Sequence, residues 1–308
     1  MTKGVLHIVL VSAAIMLGMK NVSGQQRVQF TQYMFNGLVI NPAYAGADEA
    51  LSLTFVHRRQ WAGLDHAPAT QTLSAHSLFR NKQSGVGLTV VNDKIGVHKD
   101  LSLMGNYAYH IPVSTVSTIS FGISAGFRNR RSDYSSLLSS VDQHDPKISA
   151  LPIALTSFNA GTGVYFRNPK MQIGFSAPSL IPDKMQINDS VSVRLSKSTY
   201  LLFGKYIIRA TEEVTLEPGM LFKMLQDAPL SYDINMNVIY RRILTMGLSY
   251  RTEESIDMIL KAQLTEQLQL GYSYDHPIGV LNKFDVSSHE FVIQYLFKFS
   301  DKNTVSPR

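Results

Sequence analysis

Nine histidines and the run Ser288-His289-Glu290 are the side chains of this sequence best equipped for chemistry. Nucleophilic catalysis needs a serine, a histidine and a carboxylate within mutual hydrogen-bond reach. On a strand, adjacent residues point to opposite faces, so His289 and Glu290 cannot address one nucleophile, whereas Ser288 and Glu290 share a face. A structural hydrogen-bonding role for that pair fits better. His57, His76 and His110 fall in strand-like stretches, and His66, His98, His144 and His276 fall between them. None has HExxH or other ligand spacing, and the chain holds no cysteine. In "VDQHDP" (residues 141–146) His144 stands between Asp142 and Asp145, but the spacing and closing acid of a calcium loop are missing, and a solvated loop is expected. "GTG" at 161–163 lacks the helix that a phosphate-cradling loop requires. No catalytic, metal or cofactor site is expected.

The elements that would position these residues repeat with period two. In Ile119–Arg128 one face reads Ile, Phe, Ile, Ala, Phe and the other Ser, Gly, Ser, Gly, Arg. A strand sends successive side chains to opposite faces, so this stretch has one apolar surface and one polar surface of small residues. Tyr232 to Tyr240, Leu244 to Tyr250 and Leu268 to Tyr274 repeat the pattern. In all there are about fourteen such stretches, with about 12 to 16 as the range, each roughly ten residues long, which suits a tilted membrane-spanning strand. Tyr107, Tyr109, Tyr250, Tyr272, Tyr274, Phe297 and Phe299 lie near strand ends, where interfacial girdles form. Short connections at 80–83, 112–114, 168, 210–212, 241 and 265 alternate with a set containing the long segments 129–152, 178–195 and 276–287. That parity is the pattern of an outer-membrane barrel; a soluble β-sandwich shares the alternation but does not explain the parity. The expected fold is all-β, a transmembrane antiparallel β-barrel. Arg128, Asp233, Arg241, Arg251, Asp257, Lys261 and Asp275 are expected in its lumen, as cross-strand pairs or as an ion or solute pathway.

Residues 1–24 read as a secretory leader: Lys3, an apolar run from Val5 to Met19, and small residues before a cleavage point near Gly24. Without Lys3 and Lys20, 27 basic residues face 23 acidic ones, and the basic residues are scattered. No nucleic-acid partner is expected. Residues 25–49 form a distinct N-terminal segment, 50–299 the barrel and 300–308 a tail. The segment contains "QFTQYMFNGLVINPAYAG" (29–46), which has neither strand alternation nor a helical stripe. Asn41-Pro42 favours a turn, and Gly37 and Gly46 permit tight or positive-φ geometry. Phe30, Tyr33, Phe35 and Tyr44 are too many aromatic residues for a free tail. The segment is expected to pack in the lumen or at the periplasmic mouth, the alternative being an ordinary strand plus turn.

That stretch resembles the start of the PorP/SprF family of type IX secretion system outer-membrane proteins. The end of the chain, "GYSYDHPIGVLNKFDVSSHEFVIQYLFKF" (271–299), is similar to the same family's closing Tyr-Asp and Ser-His-Glu segment. The motif residues are Phe30, Gln32, Tyr33, Asn41, Pro42, Tyr44, Gly46, Tyr274, Asp275, Ser288, His289 and Glu290, with structural or partner-binding roles. The resemblance implies a non-catalytic component in the outer membrane of a Bacteroidota-type bacterium, in contact with outer-membrane lipid. Its implied partners are a peptidoglycan-binding lipoprotein and periplasmic ring proteins, or a secreted gliding adhesin with its C-terminal signal domain. A passive porin or solute channel is the alternative.

Overall fold

The computed structural model describes residues 28–133, 153–182, 184–188, 191–194, 198–226, 228–278, 282–283 and 286–297. The leader at 1–24, the tail at 300–308, Phe299 and the "VDQHDP" stretch lie outside them.

The strands are β1 (Leu51–Ala62), β2 (Ala69–Leu78), β3 (Ser84–Ile95), β4 (His98–Pro112), β5 (Thr118–Ser132), β6 (Ile153–Arg167) and β7 (Met171–Ser179). A small hairpin follows, β8 (Lys184–Asn188) and β9 (Val191–Arg194). The wall continues with β10 (Thr199–Tyr206), its two-residue extension β11 (Ile208–Arg209), β12 (Val214–Leu225), β13 (Ser231–Tyr240), β14 (Leu244–Arg251), β15 (Ser255–Gln263), β16 (Leu268–Pro277) and β17 (Ser287–Phe297). With β10 and β11 as one wall strand, this is a closed barrel of 14 antiparallel strands, sealed where β1 pairs with β17 from Leu51↔Phe297 to Ala62↔Ser287.

The burial alternates as the sequence does, but inverted relative to a soluble protein. Apolar residues such as Leu103, Phe121, Ile123, Ile234, Leu248, Met258 and Phe291 are exposed on the outer wall, while Thr72, Ser74, Ser120, Asn237, Asp257 and Ser273 are buried inside. In a bilayer the exposed apolar face meets hydrocarbon, and the closed ladder leaves no unpaired strand edge to solvate. Small polar inward residues leave the lumen room for another segment.

One end of the barrel carries only short connections, at 79–83, 113–117, 168–170, 210–213, 241–243 and 264–267. The other carries the long ones, 133–152 and 180–198, besides shorter turns. Short turns mark the periplasmic side and long loops the extracellular side. Exposed Tyr107, Tyr109, Tyr206, Tyr240 and Phe297 ring the periplasmic rim, and Tyr250, Phe127 and Phe158 lie toward the other.

Four local expectations change. The connection at 178–195 contains the β8–β9 hairpin, whose strands are too short to display a period. His98 opens β4, paired across from Ile95, and His276 sits in β16 opposite Ile256, so neither is a loop residue. Arg241 is not in the lumen: it occupies an exposed periplasmic turn at φ 50°, paired with Glu213 at 2.5 Å. The eighth wall strand is interrupted at Ile207 rather than continuous.

Candidate functional site

The N-terminal segment runs through the lumen as three short 3-10 turns, Tyr33–Phe35, Gly37–Val39 and Pro42–Tyr44, linked by irregular chain. Short 3-10 turns suit a sequence without helical periodicity. Thr31, Gln32, Tyr33, Met34, Leu38, Asn41, Ala43, Ala45, Ala47 and Asp48 are all buried, so the segment and the inner wall form the core of the molecule.

At the extracellular end the wall clamps the chain. The Glu290 carboxylate accepts the backbone N–H groups of Thr31 at 2.9 Å and Gln32 at 2.8 Å, and the Gln32 amide donates to the Glu290 carbonyl at 3.3 Å. Arg58 lies between Asp275 at 2.7 Å and Glu290 at 3.3 Å, and donates to the Thr31 hydroxyl at 2.8 Å. That hydroxyl donates to Asp275 at 2.7 Å. Arg251 faces Asp233, Asp257, Glu254 and Asp275 at 3.6, 3.6, 3.3 and 3.8 Å, and Lys223 holds Asp233 at 2.8 Å. Charges this deep persist only when paired, because an uncompensated buried ion loses several kcal/mol of hydration. Placing Thr31 and Gln32 among them gives the Glu290 carboxylate two backbone donors.

Midway, Asn235 donates to the Tyr33 hydroxyl at 2.8 Å, the Tyr33 ring meets Phe203 edge-on, and Ser74 donates to the Asn36 side-chain oxygen at 3.0 Å. Phe30 packs on the same cluster, and Lys261 lies over the Phe35 ring at 3.9 Å. Asn41 caps the third turn: its Oδ1 accepts from Ala43 N–H at 2.9 Å while its Nδ2 donates to the Val164 carbonyl at 3.0 Å. Pro42 at the first position of that turn needs no N–H partner. Pro42 and Ala43 press on Gly122 of β5 so closely that a Cβ there would collide with their backbone.

Toward the periplasm, the Tyr44 hydroxyl donates to Asp48 at 2.9 Å, and its ring lies edge-on to His76 and Tyr165. Gly46 takes φ 84° and donates to His76 Nδ1 at 3.1 Å; its Cα side abuts Gly85, where a side chain would have no room. Gly37, by contrast, has no positive φ; the Tyr44 ring occupies the space of its missing side chain. His110 Nε2 bonds the Ala45 carbonyl at 2.9 Å, and Arg167 donates to the Ala47 carbonyl and pairs with Glu49, both at 2.7 Å.

The structure therefore joins the two ends of the sequence: Gln32, Asp275 and Glu290 meet in one clamp, and Tyr33, Asn41, Pro42, Tyr44 and Gly46 follow it down the lumen. Ser288, on the same face as Glu290, accepts the Trp61 N–H at 3.1 Å. His289 and Tyr274 do not join the site. They lie on the outer face, where His289 bonds the Tyr272 hydroxyl at 2.8 Å and its ring stacks on Tyr272 and meets Tyr274 edge-on. Sequence reasoning missed Thr31, Arg58, His76 and His110. Arg58 was visible as half of an Arg-Arg pair, but its inward direction follows only from strand parity. The arrangement binds the N-terminal segment along the inner wall from Thr31 to Glu49.

Among solved structures, the CymD monoaromatic hydrocarbon channel is similar over 94% of this chain and 97% of its own, at 12% identity and a TM-score of 0.51. The Ralstonia pickettii toluene transporter TbuX is similar over 85% and 93%, at 10% identity and a TM-score of 0.50. At such identities the likeness concerns the barrel fold alone. No curated protein matches the sequence. The sequence profile described as "Type IX secretion system membrane protein PorP/SprF" matches residues 22–295, which takes in the lumen segment, the clamp and the wall up to the last two residues of β17. The chain belongs to the PorP/SprF family and is a type IX secretion component of the outer membrane.

Proposed function

We propose that this protein is a non-catalytic scaffold of the type IX secretion apparatus, which anchors periplasmic components at the outer membrane or presents a secreted surface adhesin. One observation carries the reading: the lumen is filled by the chain's own segment, fixed from Thr31 to Ala47 by wall side chains. A passive porin needs an open polar path along the axis, and the segment takes up much of that space, with a cavity lined by Arg167, Lys205, Glu217 and Lys261 left beside it. What remains for contact are the rims, the loops and the two ends of the segment. The expected partners are a peptidoglycan-binding lipoprotein and ring proteins on the periplasmic side, or an adhesin through its C-terminal signal domain.

The test is affinity purification of the tagged protein from outer membranes, followed by mass spectrometry. Recovery of the lipoprotein and ring proteins supports the anchoring role; recovery of one large adhesin supports the presenting role. If neither is enriched over an unrelated barrel, and the purified protein conducts steadily in planar bilayers, the scaffold reading fails in favour of the porin.

A further inference from the structure

The N-terminal segment does more than fill the lumen, because its direction is fixed at both ends. Thr31 and Gln32 are bound by Arg58, Arg251, Asp275 and Glu290. Each of these lies near the long-loop end of its strand: Arg58 late in β1, Arg251 closing β14, Asp275 late in β16 and Glu290 early in β17. Ala45 to Glu49 are bound by His76, His110 and Arg167, each near the short-turn end of β2, β4 and β6. Between them, Ser74, Asn235 and the Val164 carbonyl bind Asn36, Tyr33 and Asn41. The chain thus descends from the extracellular mouth to the periplasmic rim, and only there turns into β1.

Reach agrees with this path. From Leu51 to Arg58, β1 climbs roughly 23 Å along the strand at about 3.3 Å per residue. The nineteen steps from Thr31 to Ala50 cover roughly 38 Å even at the 3-10 rise of about 2 Å per residue.

We propose that the Val28 end of the segment opens on the extracellular side, so that this end of the lumen segment is displayed at the cell surface. The segment is then a fifteenth crossing, carried inside the barrel and held at its outer end by the Glu290–Arg58–Asp275 clamp. A periplasmic partner can reach the short turns and the neighbourhood of Glu49, but not residues 28–32.

The absence of cysteine makes the test direct. Val28→Cys is labelled with a membrane-impermeant maleimide in intact cells and in cells whose outer membrane has been permeabilised. Asp65→Cys, in the exposed β1–β2 connection, reports the long-loop side. Lys170→Cys, in the exposed β6–β7 turn, reports the other. The expected result is that Val28→Cys, like Asp65→Cys, labels in intact cells, whereas Lys170→Cys labels only after permeabilisation. Labelling together with Lys170→Cys overturns the proposal. Labelling of Val28→Cys and Asp65→Cys only after permeabilisation places this end of the segment in the periplasm and overturns the proposal equally. Should half-buried Val28→Cys be shielded in both conditions, Gln29→Cys is read against the same two references and decides in the same way.

Discussion

Glu290→Gln removes one charge at the centre of the clamp and almost no volume. The carboxylate now accepts two backbone N–H groups, from Thr31 and Gln32, and faces Arg58 at 3.3 Å. A carboxamide keeps one acceptor oxygen: its NH2 faces either the Gln32 N–H, or the Thr31 N–H together with the Arg58 guanidinium, so at least one contact becomes donor against donor. A hydrogen bond to a charged group contributes about 1.5–3 kcal/mol, and breaking one partner of a buried ion pair costs about 3–5 kcal/mol. Arg58 retains Asp275 at 2.7 Å, which argues for the lower end, about 3 kcal/mol. At about 1.4 kcal/mol per factor of ten, release of residues 28–32 becomes about a hundredfold more frequent. Hydrogen exchange of the Thr31 and Gln32 amides in detergent or nanodiscs reads this directly. A folded Glu290→Gln barrel in which those amides exchange less than about threefold faster would refute the clamp as described. Glu213→Gln is the control: its pair with Arg241 is about half exposed at a periplasmic turn, and such pairs contribute within about 1 kcal/mol.

Asn41→Ala deletes the cap on Ala43 and the bond to the Val164 carbonyl; it should loosen the third turn by about 1–3 kcal/mol, seen as faster exchange at Ala43 with the upper clamp unchanged. Gly122→Val puts a branched side chain into the backbone of Pro42 and Ala43, so the segment cannot seat; the barrel should still insert but show current in planar bilayers where the parent is quiet. Loss of insertion for Gly122→Val, or a quiet barrel, would contradict the view that the segment alone closes the lumen. Arg251→Met removes the guanidinium that faces Asp257, while Asp233 keeps Lys223 and Asp275 keeps Arg58, and should destabilise the barrel by about 3 kcal/mol, measured as a lower temperature for loss of heat-modifiable migration.

Much of the wall was legible in the chain itself. Leu244 to Tyr250 against Thr245 to Arg251 declares its two faces because burial on a strand alternates residue by residue, with no knowledge of the neighbour. Connection lengths then set the two ends of the barrel. The short hairpin β8–β9 escaped because strands of five and four residues carry no readable period. Arg241 was misplaced because a turn residue inherits no face from the strand before it. For the segment at 28–50, composition announced packing, through four aromatic residues and an Asn-Pro turn, but not where. The bond from Thr31 to Glu290 spans 259 positions, and nothing local in either stretch encodes the other. Period and spacing determined by themselves that this is an outer-membrane barrel with a packed N-terminal segment. Only closure of the wall decided that Arg58, Arg251, Asp275 and Glu290 converge at one mouth and hold the chain there, because buried charges find their partners across strands and not along them.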